Sequence, residues 1–135
     1  MADITVTPGS VIGYGARIEG VAGGTITAGL LVQKNSEGEI VSSSDDSATN
    51  AAVVGMALNG ASDGQPVSYQ ASGLVNPGGT VSVGKVYVAS SSGGIAPIDD
   101  VAGGEYITTI GIGTTTSLIK MSINASGVAA AGAVA

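Results

Sequence analysis

Turn punctuation governs what this chain can fold into. It carries 23 glycines in 135 residues, and the dipeptides Pro8-Gly9, Asn59-Gly60, Asp63-Gly64 and Pro77-Gly78 reinforce the breaks. The pieces between them are too short for ordinary helices. They hold apolar runs such as Leu30-Leu31-Val32, Val53-Val54-Gly55-Met56, Val86-Tyr87-Val88 and Ile107 to Ile112. Val and Ile number 28 against 5 Leu, and β-branched side chains suit a pleated strand better than a helix. Short strands separated by turns at this spacing predict an all-β fold, a compact barrel or sandwich.

Two strands show the alternation directly. Ile119, Met121 and Ile123 alternate with Lys120, Ser122 and Asn124, and Val67, Tyr69 and Ala71 alternate with Ser68, Gln70 and Ser72. A period of two marks a strand with one buried face. Both runs then enter Ala-Ser-Gly followed by an apolar residue, at 71–74 and at 125–128. The match extends further. Residues 25–32 (TITAGLLV) correspond to 80–87 (TVSVGKVY), each followed by a Ser/Gly turn at 35–38 or 91–94. A short strand comes next (39–41 or 95–98), then paired aspartates, Asp45-Asp46 or Asp99-Asp100. A longer strand containing Val54-Gly55-Met56-Ala57 or Ile110-Gly111-Ile112-Gly113 completes the order.

Residues 25–75 and 80–128 therefore read as two pseudo-repeated β units within a single domain spanning 25–128. Neither is large enough to bury its own apolar face, so the two should pack together. Residues 1–24 find no counterpart in the second half and read as an extended N-terminal arm. Residues 129–135 form a short Ala/Gly-rich tail. Each end is either ordered on a neighbour or frayed.

Composition removes most chemistry. There is no His and no Cys, so no His-activated nucleophile and no Cys/His zinc site can form. Four basic residues against ten acidic ones give a net charge of −6, which deprives nucleic-acid binding of its electrostatic term. No apolar run reaches transmembrane length, and the N-terminus lacks the pattern of a signal peptide, so cytoplasmic synthesis is expected. Only 10% of residues are charged, against about 25% in an average domain. Such a surface suits contact with neighbours, and a core of small apolar residues would gain stability from association.

The two aspartate pairs are the only carboxylate clusters. Adjacent strand residues face opposite ways, and neither pair sits in an Asp-x-Asp-x-Asp-Gly calcium loop. They read as Asp-rich turns, with calcium as the alternative. Gly13-Tyr14-Gly15 and Gly111-Ile112-Gly113 lack a phosphate-loop pattern and precede no helix. Tyr69, Tyr87 and Tyr106 fall within predicted strands and suit packing better than sugar stacking. Tyr14 is the tyrosine best placed for an intermolecular contact. Asn124-Ala125-Ser126 forms a glycosylation sequon without an expected use. No catalytic, cofactor or metal residues are assigned, and enzymatic activity is not expected.

The repeat resembles a known family. Ala52-Val53-Val54-Gly55-Met56-Ala57-Leu58-Asn59-Gly60-Ala61 continues through Gly64-Gln65-Pro66-Val67 to Ala71-Ser72-Gly73-Leu74-Val75. With Ser82 to Val88, Gly93 to Pro97 and Ile110-Gly111-Ile112, these stretches resemble the capsid decoration, or cement, proteins of tailed bacteriophages. The resemblance spans about residues 25–128 and rests on turn and strand patterns. It implies a small structural β protein that binds the outer capsid surface after expansion, as a homotrimer, and clamps neighbouring major capsid proteins. Similar modules in head fibres, tail-associated proteins and carbohydrate-binding adhesins are the alternative. On this reading Ile4, Val6, Val11, Ile12 and Tyr14 are the candidate capsid or subunit contacts. Neither membrane nor nucleic acid is expected as a partner.

Overall fold

The computed structural model describes residues 3–131. It is all-β, with eleven strands: β1 (Val11–Gly13), β2 (Ile18–Val21), β3 (Leu31–Lys34), β4 (Ile40–Ser42), β5 (Gly55–Ala57), β6 (Pro66–Gln70), β7 (Ser72–Pro77), β8 (Val86–Ala89), β9 (Ile95–Pro97), β10 (Tyr106–Gly113) and β11 (Ile119–Ala129). They form a six-stranded sheet in the order β1-β7-β11-β10-β8-β9 and a five-stranded sheet in the order β2-β6-β5-β3-β4. Every strand pair is antiparallel.

The two orders share one plan. Without β1, the larger sheet runs β7-β11-β10-β8-β9, position for position the order of the smaller. Registers agree in detail: Val32 pairs with Gly55, and Tyr87 pairs with Gly111. Met56 opposite Gln70 corresponds to Ile112 opposite Lys120. Turn glycines of the sequence repeat adopt matching left-handed backbones, Gly29 with Gly84 and Gly38 with Gly93. Only glycine enters that region without steric cost, which is why these positions stand out in both copies.

The structural unit is longer than the sequence repeat, because β2 and β7 fill equivalent places. Ile18-Glu19-Gly20-Val21 and Ser72-Gly73-Leu74-Val75-Asn76-Pro77 share no residue pattern. Their equivalence lies in pairing alone. Residues 1–24, expected as an extended arm, also carry strand structure among the described residues. That stretch supplies β1 to one sheet and β2 to the other.

The smaller sheet curls until its edges meet. Ala22, just past β2, forms a parallel bridge with Ile40 of β4, and the Gly23 N–H donates to Ile40 O at 2.8 Å. The closed interior holds Ala22, Ile26, Val32, Ile40, Ala57, Ala61, Val67 and Tyr69. The larger sheet stays open, and its concave face is filled by Val75, Val81, Tyr87, Ile95, Ile110, Ile119 and Met121. Leu31, Val53 and Met56 of the first unit cap that core. Leu31 and Val32 are adjacent, face opposite ways, and are both fully buried, so β3 is covered on both faces. The same holds for Met56 and Ala57 of β5.

The segment 43–51 straps the first unit to the second. The Gly93 N–H donates to Ser43 O (2.7 Å), the Tyr106 N–H to Asp45 O (2.8 Å), and the Thr108 hydroxyl to Ala51 O. At the C-terminus, Ala129 ends β11, and Ala130 exchanges backbone hydrogen bonds with Gly104 and Glu105. Residues 132–135 of the expected tail lie outside the described residues.

Candidate interaction surface

The convex face of the six-stranded sheet carries a transverse row of side chains. Directly opposed residues in neighbouring strands share a face. Leu74 opposes Lys120, Lys120 opposes Ile112, and Ile112 opposes Val86. The Tyr14 N–H donates to Leu74 O (3.0 Å), extending the β1–β7 register by one residue and bringing Tyr14 into the row. Tyr14 is 61% exposed, and Leu74 and Ile112 are each 40% exposed. Val86, Thr109, Gly111, Ile112, Lys120 and Ser122 line a shallow depression of about 480 Å³ on this face. Lys120 has no carboxylate partner among the described residues.

The first unit buries the corresponding row. Leu31, Met56 and Gln70 occupy the places of Val86, Ile112 and Lys120, and all three are fully buried. Gln70 is saturated there: its Nε2 donates to Ser72 O (2.9 Å) and Leu74 O (2.8 Å), and its Oε1 accepts from the Gly15 N–H (3.1 Å). A neutral amide with three partners can be buried, whereas an ammonium without partners cannot. The exchange of Gln70 for Lys120 therefore tracks the change from a covered face to an open one.

The five candidate contact residues separate into two groups. Ile4 and Val6 are half-buried against the chain's own body, with Ile4 packed on the core of the larger sheet. Val11 is half-buried in β1, while Ile12 and Tyr14 stand exposed. Leu74, Ile112, Val86 and Lys120 were not among the candidates. They lie in four strands, and nothing in their local sequence distinguishes them from ordinary outward positions. Tyr69 and Tyr87 are buried, Tyr87 donating no platform but accepting the Ser82 N–H at its hydroxyl (2.7 Å).

The aspartate pairs prove unlike one another. Asp99 forms an exposed ion pair with Lys85 (3.0 Å), which raises the Lys85 pKa. Asp45 is 5% exposed, and its Oδ2 is buried with no hydrogen-bond partner. Burial, followed by the neighbouring Glu105 carboxyl, pushes its pKa up to about 6. Asp46 Oδ1 accepts from Asn50 Nδ2 at 2.9 Å. Among the described residues no three acidic side chains converge as a metal site would require. Neither protein-family models nor curated proteins give a match to this chain.

Proposed function

We propose that this protein is a structural virion component that binds the outer surface of a phage capsid as a homotrimer and cements neighbouring major capsid proteins. The single observation that supports the reading is the open row Tyr14, Leu74, Lys120, Ile112 and Val86, in which the first-unit counterparts of Lys120, Ile112 and Val86 are buried. A sheet face with exposed apolar side chains across it marks a contact surface. Its one cation, on a chain of net charge −6, sets the orientation of a partner that offers a carboxylate. Many such copies on a lattice bind with avidity although no single copy has a deep pocket.

Co-sedimentation with purified expanded capsids tests the proposal. The wild-type protein should saturate the shell, and Leu74→Asp combined with Ile112→Asp should reduce occupancy at least tenfold. Full occupancy by a folded double variant would remove the convex face from the mechanism. Absence of wild-type binding would refute the function itself.

A further inference from the structure

Residues 3–7 run along a groove whose walls are glycines. A Cβ at Gly79 would overlap Thr5 O, one at Gly94 would overlap the Asp3 carboxylate, and one at Gly78 would lie 2.6 Å from Thr7 O. At Gly29 it would lie 2.5 Å from Val6 Cγ1. Side chains at any of these positions would close the track, so the groove is shaped for an extended chain. Two backbone hydrogen bonds hold the segment, from the Ile4 N–H to Ile95 O (2.9 Å) and from the Thr7 N–H to Gly78 O (2.8 Å).

The place it fills is intrinsic to the fold. Ile95 in β9 is the counterpart of Ile40 in β4, whose carbonyl accepts the Gly23 N–H. In the first unit the chain continuing from β2 supplies that donor. In the second unit the chain continuing from β7 does not, and the distant segment 3–7 supplies it instead. One unit completes itself; the other is completed by an added strand.

The added strand is also the part most easily exchanged. Residues 7–10 are exposed, Pro8–Ser10 form a single 3-10 turn without a side-chain cap, and Gly9 faces open space. The Ser10 N–H to Thr7 O and the Val11 N–H to Pro8 O close that turn. Between the segment and the turns at 27–30 and 92–94 lies a cavity of about 200 Å³, so the seat is not fully packed. Ser92 on its wall holds a left-handed backbone (φ 54°), which is strained for a non-glycine residue.

We propose that this groove is a receptor for residues 3–7 of a second copy of the chain, so that neighbouring copies are linked by exchange of their N-terminal segments. The contacts made within one chain and between two chains are the same, and opening the Pro8–Ser10 turn supplies the reach, as in domain swapping. In dilute solution the chain's own segment wins, because its effective concentration is in the millimolar range. Where copies are crowded side by side, that advantage disappears. Crowding on a capsid rests on the function proposed above; the receptor property does not.

The test needs no capsid. A fluorescently labelled peptide of residues 1–10 is titrated, by anisotropy, into a variant lacking residues 2–7 and into full-length Ile4→Asp, whose own segment is weakened in its seat on the core. Saturable uptake is expected, competed by unlabelled peptide and weakened at least tenfold by Gly79→Val. The full-length Ile4→Asp arm reports even if the truncated variant fails to fold. No uptake by either protein would overturn the proposal, as would uptake indifferent to Gly79→Val.

Discussion

The two units are built to one plan and meet different fates. The first closes on itself through Ala22 and Ile40 and is covered outside as well, so Leu31 and Met56 lie in the shared core. The second does not close on itself but is completed by the distant segment 3–7; it borrows the first unit's outer face to fill its concave side and leaves its own outer face bare. One strand order thus yields a scaffold or a contact surface depending on what covers it. The residues follow: Gln70 satisfied and buried in one, Lys120 exposed in the other.

The sharpest break in the comparison is Met56→Ala. Met56 is fully buried between the units, and removing such a side chain costs about 2–5 kcal/mol through lost transfer energy and the cavity left behind. Urea denaturation should show a loss of unfolding free energy of that size, read as a lower midpoint at unchanged m. A loss under about 1 kcal/mol would mean that the units are not packed as described.

Next comes pH, acting on the strap between the units. Asp45 titrates at about 6 in the folded chain against 3.8 as its ordinary value. Between those values the folded state holds a proton that the unfolded state has released, so stability falls as pH rises. At about 1.4 kcal/mol per pKa unit, the loss is at most about 3 kcal/mol. Thermal melts at pH 4.5 and 7.5 should therefore differ less, or with opposite sign, in Asp45→Asn than in the wild type. An Asp45→Asn variant with the wild-type difference between the two pH values would remove the Asp45–Glu105 contact from the account.

Much of this was legible in the sequence, and the reasons are specific. The alternation around Ile119 and Val67 exposed the strands, and the paired turn glycines exposed the repeat, because left-handed backbones select glycine at the same places twice. The equivalence of β2 and β7 was hidden, since it rests on hydrogen-bond register with no shared residues. The path of residues 3–7 was hidden too. Its signal lies in Gly29, Gly78, Gly79 and Gly94, which come from three separated turns and look like ordinary punctuation until the fold brings them together. For the same reason the exposed row could not be assembled, and Asp45 and Asp99 looked alike although only one has Glu105 beside it.

A smaller effect probes what the units retain in common. Gly55 and Gly111 are equivalent in register, and each faces the neighbouring strand: a Cβ at Gly55 would lie 2.7 Å from Gln70 O, and one at Gly111 would overlap Lys120 O. Gly55→Ala and Gly111→Ala should each destabilise by about 1–3 kcal/mol, the range for overpacking a filled site. Similar losses in denaturant would confirm that the inner architecture is shared. A harmless Gly111→Ala would confine the tight approach to the first unit.

The smallest expected effect falls on the counterpart of Met56. Ile112 is 40% exposed on the convex face, so Ile112→Ser removes little buried area and should change stability by no more than about 0.5 kcal/mol. What it should change is association. An apolar side chain beside Leu74 and Val86 contributes to burial only when a partner covers the row, so its loss acts on the complex and not on the monomer. Co-sedimentation with capsids, run beside the urea curve, separates the two. A destabilisation of Ile112→Ser approaching that of Met56→Ala would mean that the face is already covered within the chain, and the distinction between the scaffold unit and the contact unit would fail with it.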